Sequence, residues 1–153
     1  YHRVFPEIRK AWEETVREVR NEHMLFNCLG RRMIFMERLD EHSMDSVIAF
    51  KPQSTIGDKV SSVIYKCHED SDWPSNEARI LINIHDALIA LHRPSVVHRV
   101  QAIMRTYAEE PIIIRGQPIV IPADIKESVP DKDGVHRWST IGESIEMGGA
   151  DDV

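Results

Sequence analysis

The stretch Ile80-Leu81-Ile82-Asn83-Ile84-His85-Asp86-Ala87-Leu88-Ile89-Ala90-Leu91 decides how this chain folds. Two apolar runs flank a His-Asp pair, the pattern of two buried strands meeting at a tight turn. Alternation along the first strand sets Ile80, Ile82 and Ile84 on one face and Leu81, Asn83 and His85 on the other. Asn83 and His85 thus point the same way and flank Asp86. A carboxylate buried at such a turn is costly without a partner. A divalent metal ion is an obvious partner for Asp86. Taken alone, the pair also suits an ordinary β-turn, where Asp is common for its own hydrogen-bonding reasons.

Upstream, Pro6 suits the first turn of a helix. Phe5, Ile8, Trp12, Val16 and Val19 recur at helical spacing to about Glu22, with Glu13 placed to pair with Arg17. Met24 to Leu29 and Met33 to Met36 are short apolar stretches around Gly30-Arg31-Arg32, which predicts a hairpin with a basic turn. Ser43 is the expected cap of a helix toward Phe50, and Pro52 is expected to interrupt it. In Gln53-Ser54-Thr55-Ile56-Gly57-Asp58 we read a new helix start, with Ser54 or Thr55 as its cap. Gly57 costs about 1 kcal/mol relative to Ala inside a helix, which suggests close backbone approach. Ile56, Val60, Val63, Ile64 and Cys67 continue the apolar face, and 70–76 is a loop by composition.

Downstream, Pro94 opens another helix with Val97, Val100, Met104 and Tyr107 on one face. Ile112–Ile114 and Ile119–Ile121 are β-branched runs. The order helix, hairpin, helix, hairpin, helix, strand predicts an α+β domain with an antiparallel sheet and helices on one face. Residues 1–140 form this domain in our reading, and 141–153 a tail.

A chain of 153 residues suffices for one domain with its own core. A net charge of −6 argues against a generic basic nucleic-acid binder. Arg3, Arg9, Lys10, Arg17, Arg20, Arg31 and Arg32 nonetheless concentrate in the first 32 residues, so one basic face is possible. Cys28 and Cys67 lack metal or redox spacing and read as reduced core thiols. No apolar run approaches the roughly 20 residues of a membrane span and no signal peptide opens the chain, so a cytoplasmic protein without a membrane partner is expected.

Three motifs, weak singly, form an ordered set. Leu29-Gly30-Arg31-Arg32, Pro52-Gln53-Ser54-Thr55-Ile56-Gly57-Asp58 and Asn83-Ile84-His85-Asp86-Ala87, preceded by Phe5-Pro6 and Trp12, resemble the C-terminal palm portion of family A DNA polymerases, the DNA polymerase I type. The resemblance covers roughly residues 3–125. It departs from the family's pattern at Ala87 (usually Glu), Asn83 (Gln), Ser54 (Gly) and Asn27 (Thr), with one residue fewer between Pro52 and Gln53.

The resemblance implies a palm-type antiparallel sheet with a catalytic-type β-hairpin. Asp86 would be one of two aspartates holding a catalytic Mg²⁺ pair. His85 would lie against the primer's terminal phosphate or sugar, and Gln53 would reach the minor groove, with Asn83 in place of the family's Gln beside the site. Arg31 and Arg32 would contact the DNA backbone. Two-metal phosphoryl transfer needs hard oxygen ligands on a rigid element, and one Asp on a hairpin supplies one of them. The family's first metal aspartate and its nucleotide-binding helix have no counterpart here.

The expected function is therefore a palm fragment or subunit of a DNA-directed DNA polymerase, inactive alone. Its implied partners are DNA primer-template, dNTP and the complementary polymerase portion. One alternative is a non-catalytic DNA- or partner-binding module derived from a palm. A minor one is an HD-type metal phosphohydrolase, which would hold its His-Asp pair on a helix.

Overall fold

The computed structural model describes residues 5–36, 40–130, 133–134 and 136–141. The chain is α+β with antiparallel strand pairing throughout, as its element order predicts. Helix α1 runs Pro6–Glu22 and ends where His23 turns left-handed at φ 55°. Strands β1 (Met24–Phe26) and β2 (Arg32–Ile34) pair around the Gly30 turn, so Arg32 already belongs to the second strand. Helix α2 spans Glu41–Glu69, and β3 (Ala78–Ile84) and β4 (Ala87–His92) form the central hairpin. A 3₁₀ turn, Pro94–Val96, leads into α3 (Val97–Ala108). Two more hairpins follow, β5 (Ile112–Ile114) with β6 (Gln117–Ile119) and β7 (Ser128–Pro130) with β8 (His136–Ile141). Among the described residues the strands make four separate two-stranded ladders rather than one continuous sheet. Residues 142–153 lie outside the described residues, and with them most of the expected tail.

Pro52 does not end a helix. α2 is continuous for 29 residues, about 44 Å at the usual rise. An interior proline costs about 3 kcal/mol, because it has no N–H for the carbonyl four residues back. Burial on both sides of it outweighs that cost. Val47, with Phe50 beside it, packs with Val19 and Leu25 of α1 and β1 in a core joined by Val16 and Phe35. Beyond the proline, Val60, Val63 and Cys67 are buried again, where α2 meets α3 and its buried Val100. Proline itself sits exposed. The cap is Asp40, whose carboxylate accepts from the Ser43 N–H at 2.8 Å, while the Ser43 hydroxyl accepts from the Asp40 N–H at 2.9 Å. Ser54 and Thr55 are accordingly interior residues, not caps. The Thr55 hydroxyl donates back to the Lys51 carbonyl at 2.7 Å.

Three smaller expectations also change. Nothing lies within 4 Å of a Cβ built at Gly57, so close backbone approach does not explain that glycine. Glu13 pairs with Arg9 (3.0 Å), one turn before it, rather than with Arg17. Cys67 is a buried thiol, raised to about 11 chiefly by desolvation, but Cys28 is exposed, its Sγ 3.4 Å from the Thr55 hydroxyl.

The central hairpin departs most from its sequence reading. Its register shifts between Ile80 and Ile82, which inserts a bulge at Leu81 and breaks the strict alternation. Its strands are only partly buried: Ile80, Leu88, Ile89 and Ala90 are half-buried, whereas Leu81 is 58% exposed, Ile82 50% and Leu91 61%. Ala78, at its base, is buried.

Candidate nucleic-acid interface

The basic turn is held to α2 by a saturated polar network. Asn27 is 5% exposed and uses its whole amide. Its Oδ1 accepts from the N–H groups of Leu29 (3.0 Å) and Arg31 (2.8 Å). Its Nδ2 donates to Ser54 Oγ at 3.1 Å and to Asp58 Oδ2 at 2.7 Å. Arg31 donates to the other oxygen of Asp58 through Nε at 2.7 Å, and through Nη2 as well. Gly30, at φ 87°, lets the chain reverse in a conformation that side chains disfavour. The hydrogen bonds from Arg31, and secondarily that from Asn27, hold the Asp58 carboxyl below its ordinary range against partial desolvation.

This network joins two of the three motifs. Ser54 directly follows Gln53 on α2, and the Gln53 side chain is exposed and makes no hydrogen bond within the described residues. Arg32 is likewise exposed and without a side-chain partner among the described residues. Arg31 is not equivalent to it, because its charge faces Asp58 at hydrogen-bond distance. Asn27 and Asp58 were given no role by the sequence reading. An Asn three residues before a turn glycine was the available signal, since Asn side chains bond backbone N–H groups two residues on.

Beside the turn lies a cavity of about 790 Å³ whose lining includes Gly30, Arg31, Lys59, Lys66 and Glu110. Lys59 is almost wholly buried, and it donates to the Glu110 carbonyl at 2.7 Å with the Glu110 carboxylate at 3.7 Å. Lys66 pairs with the same carboxylate. Desolvation lowers the Lys59 ammonium below its ordinary range, and the Lys66 charge adds to this against the attraction of Glu110. The positive charges along this face are therefore largely compensated from within.

The third motif stands apart. His85 and Asp86 form the two-residue turn between Ile84 and Ala87, with His85 left-handed at φ 55°. Strand geometry ends at Ile84, so alternation no longer sets the direction of the His85 side chain beside Asn83. Asp86 is exposed rather than buried, with no hydrogen bond or ion pair within the described residues. Asn83 is exposed opposite Leu88. No hydrogen bond among the described residues links this apex to the Arg31–Asp58 network.

As a metal ligand Asp86 has the right chemistry, a hard, unpaired, accessible carboxylate. Among the described residues no group of three or more His, Cys, Asp or Glu could hold an ion. Among the described residues Asp86 therefore lacks the companion ligands that a complete Mg²⁺ site needs. No helix among the described residues is long and apolar enough to cross a membrane.

Comparison with known proteins returns no family model, no curated protein and no solved structure that matches the chain.

Proposed function

We propose that this chain is the C-terminal palm portion of a family A type DNA polymerase, contributing one Mg²⁺-binding aspartate and primer-template contacts to nucleotidyl transfer. One observation carries the reading: an unpaired His-Asp pair at the apex of an apolar hairpin whose strands stand exposed at Leu81, Ile82 and Leu91. Such a surface suits burial against a complementary portion. The resemblance supplies that portion's identity, the polymerase half with the first metal aspartate and the nucleotide-binding helix.

In this reading Asp86 would hold Mg²⁺ together with the first metal aspartate, carried by that portion. When bound, the ions would offset charge on the phosphate oxygens of the dNTP and activate the primer's terminal hydroxyl. His85, next to Asp86 on the same turn, would contact the primer's terminal phosphate or sugar. Gln53, free and exposed on α2, reads the minor groove, where acceptors occur on every base pair. Ala87 follows Asp86 where the family carries Glu, so no helper carboxylate comes from that position.

The test is primer extension with Mg²⁺ and dNTPs. The chain alone should not extend a primer, and the chain mixed with a complementary polymerase portion should. Asp86→Ala should abolish that extension. Extension that survives Asp86→Ala, or that the wild-type chain achieves alone, overturns the assignment.

A non-catalytic DNA- or partner-binding module is the second reading. It is favoured by the shortage of metal donors around Asp86 among the described residues. Salt-dependent primer-template binding with no extension in any mixture would select it. The HD-type phosphohydrolase needs its pair on a helix, and here the pair lies between two strands.

A further inference from the structure

We infer that the two neighbouring arginines of the basic turn have different jobs: Arg32 is the phosphate contact, whereas Arg31, clamped by Asp58 and Asn27, is a positioning residue. The inference rests on the primer-template reading above and assigns its backbone contact to one side chain.

The geometry separates the two residues. Arg31 spends its Nε and one terminal nitrogen on Asp58, which also accepts from the buried Asn27. Arg31 keeps Nη1 uncommitted, but a phosphate there would meet a guanidinium whose charge Asp58 already compensates. The Arg31–Asp58 pair thus presents little net positive charge toward DNA. Arg32 begins strand β2, in register with Phe26, and its guanidinium has no competing acid within the described residues. Charge that is not internally paired is what displaces counterions from DNA.

The clamp has a geometric purpose. The Arg31 carbonyl accepts from the Asn27 N–H at 3.0 Å and the Arg31 N–H donates to Asn27 Oδ1 at 2.8 Å, so the turn closes on itself. The bonds from Asn27 to Ser54 and from Arg31 to Asp58 then dock this closed turn on α2, one and five residues beyond Gln53. The docking thus fixes the backbone of the turn that carries Arg32 against the helix that carries Gln53.

The test is binding of a fluorescent primer-template duplex to the full chain across a salt series. Each phosphate contact adds about 0.9 to the slope of log K against log salt. Arg32→Ala should flatten the slope by about that amount. Arg31→Ala should leave the slope unchanged while lowering the melting temperature. Asp58→Asn keeps the shape of the side chain but removes its charge. It should free Arg31 and steepen the slope by about one contact, and adding Arg31→Ala to it should reverse the change. A slope flattened equally by Arg31→Ala and Arg32→Ala, or unmoved by Asp58→Asn, overturns the division of labour while the DNA interface stands. A wild-type chain without salt-dependent binding overturns the interface and the division with it.

Discussion

The Gly30 turn and the His85-Asp86 turn are both tight reversals carrying charged residues, yet the molecule treats them differently. At Gly30 every polar atom of the buried Asn27 side chain is satisfied, and the turn is docked on α2. At His85-Asp86 the side chains are exposed and the strands leading to them carry large apolar residues in the open. The first turn gains its stability from within the chain. The second presents polar turn residues and exposed apolar side chains together.

That contrast can be broken by measurement, beginning with the largest effect. Leu25→Ala, in the core shared by α1, β1 and α2, should cost about 2–5 kcal/mol in chemical denaturation. Leu81→Ala on the hairpin should cost less than about 0.5 kcal/mol in the same experiment, because little burial is lost. Comparable losses at the two positions would show that the hairpin is already packed within this chain.

Asn27→Ala strands the N–H groups of Leu29 and Arg31 and one oxygen of Asp58. A loss of about 1–3 kcal/mol is expected. Asp86→Ala should leave stability unchanged, since its carboxylate has no partner among the described residues. Equal destabilisation by the two changes would erase the distinction between a structural turn and a presented one.

The clamp should also show in the pH dependence of stability. Asp58 has a folded-state pKa below its unfolded value, chiefly through the hydrogen bonds from Arg31. Its contribution is therefore complete above the unfolded value of about 4 and is lost as pH falls through the lower folded value. Asp58→Asn should flatten the acid limb of a stability profile between pH 4 and lower pH. An unchanged acid limb would mean that the Arg31–Asp58 pair adds nothing to folding. The smallest effect expected is a gain. Gly57→Ala sits in helix with open space around the new methyl, and should stabilise the chain by about 0.4–1 kcal/mol.

Much of the fold was legible because periodicity and turn chemistry are local. Pro6 and the spacing from Ile8 to Val19 mark α1, and the apolar runs around Gly30 and His85-Asp86 mark two hairpins. The β7–β8 pair escaped notice, because 128–141 carries no apolar alternation comparable to Ile80–Leu91. Pro52 misled for a physical reason: its local penalty is certain, but the packing of Phe50 on one side and Val60 on the other is a long-range gain. Cys28 and the hairpin strands misled in the opposite sense, since apolar character predicts burial only where another element arrives to cover it. Of the candidate site, the residue types were visible in sequence, but the status of each charge was not. Arg31 and Arg32 are identical in sequence, and only one meets a carboxylate.

By itself, then, the sequence determined α1, the hairpins around Gly30 and His85-Asp86, and the two-residue His-Asp turn. These follow from interactions among near neighbours. Tertiary structure alone decided that α2 runs through its proline, that Asp58 and Asn27 clamp the basic turn, and that Asp86 stands unpaired. Those outcomes depend on which groups, tens of residues apart, come within hydrogen-bond or van der Waals reach, and no local pattern encodes that distance.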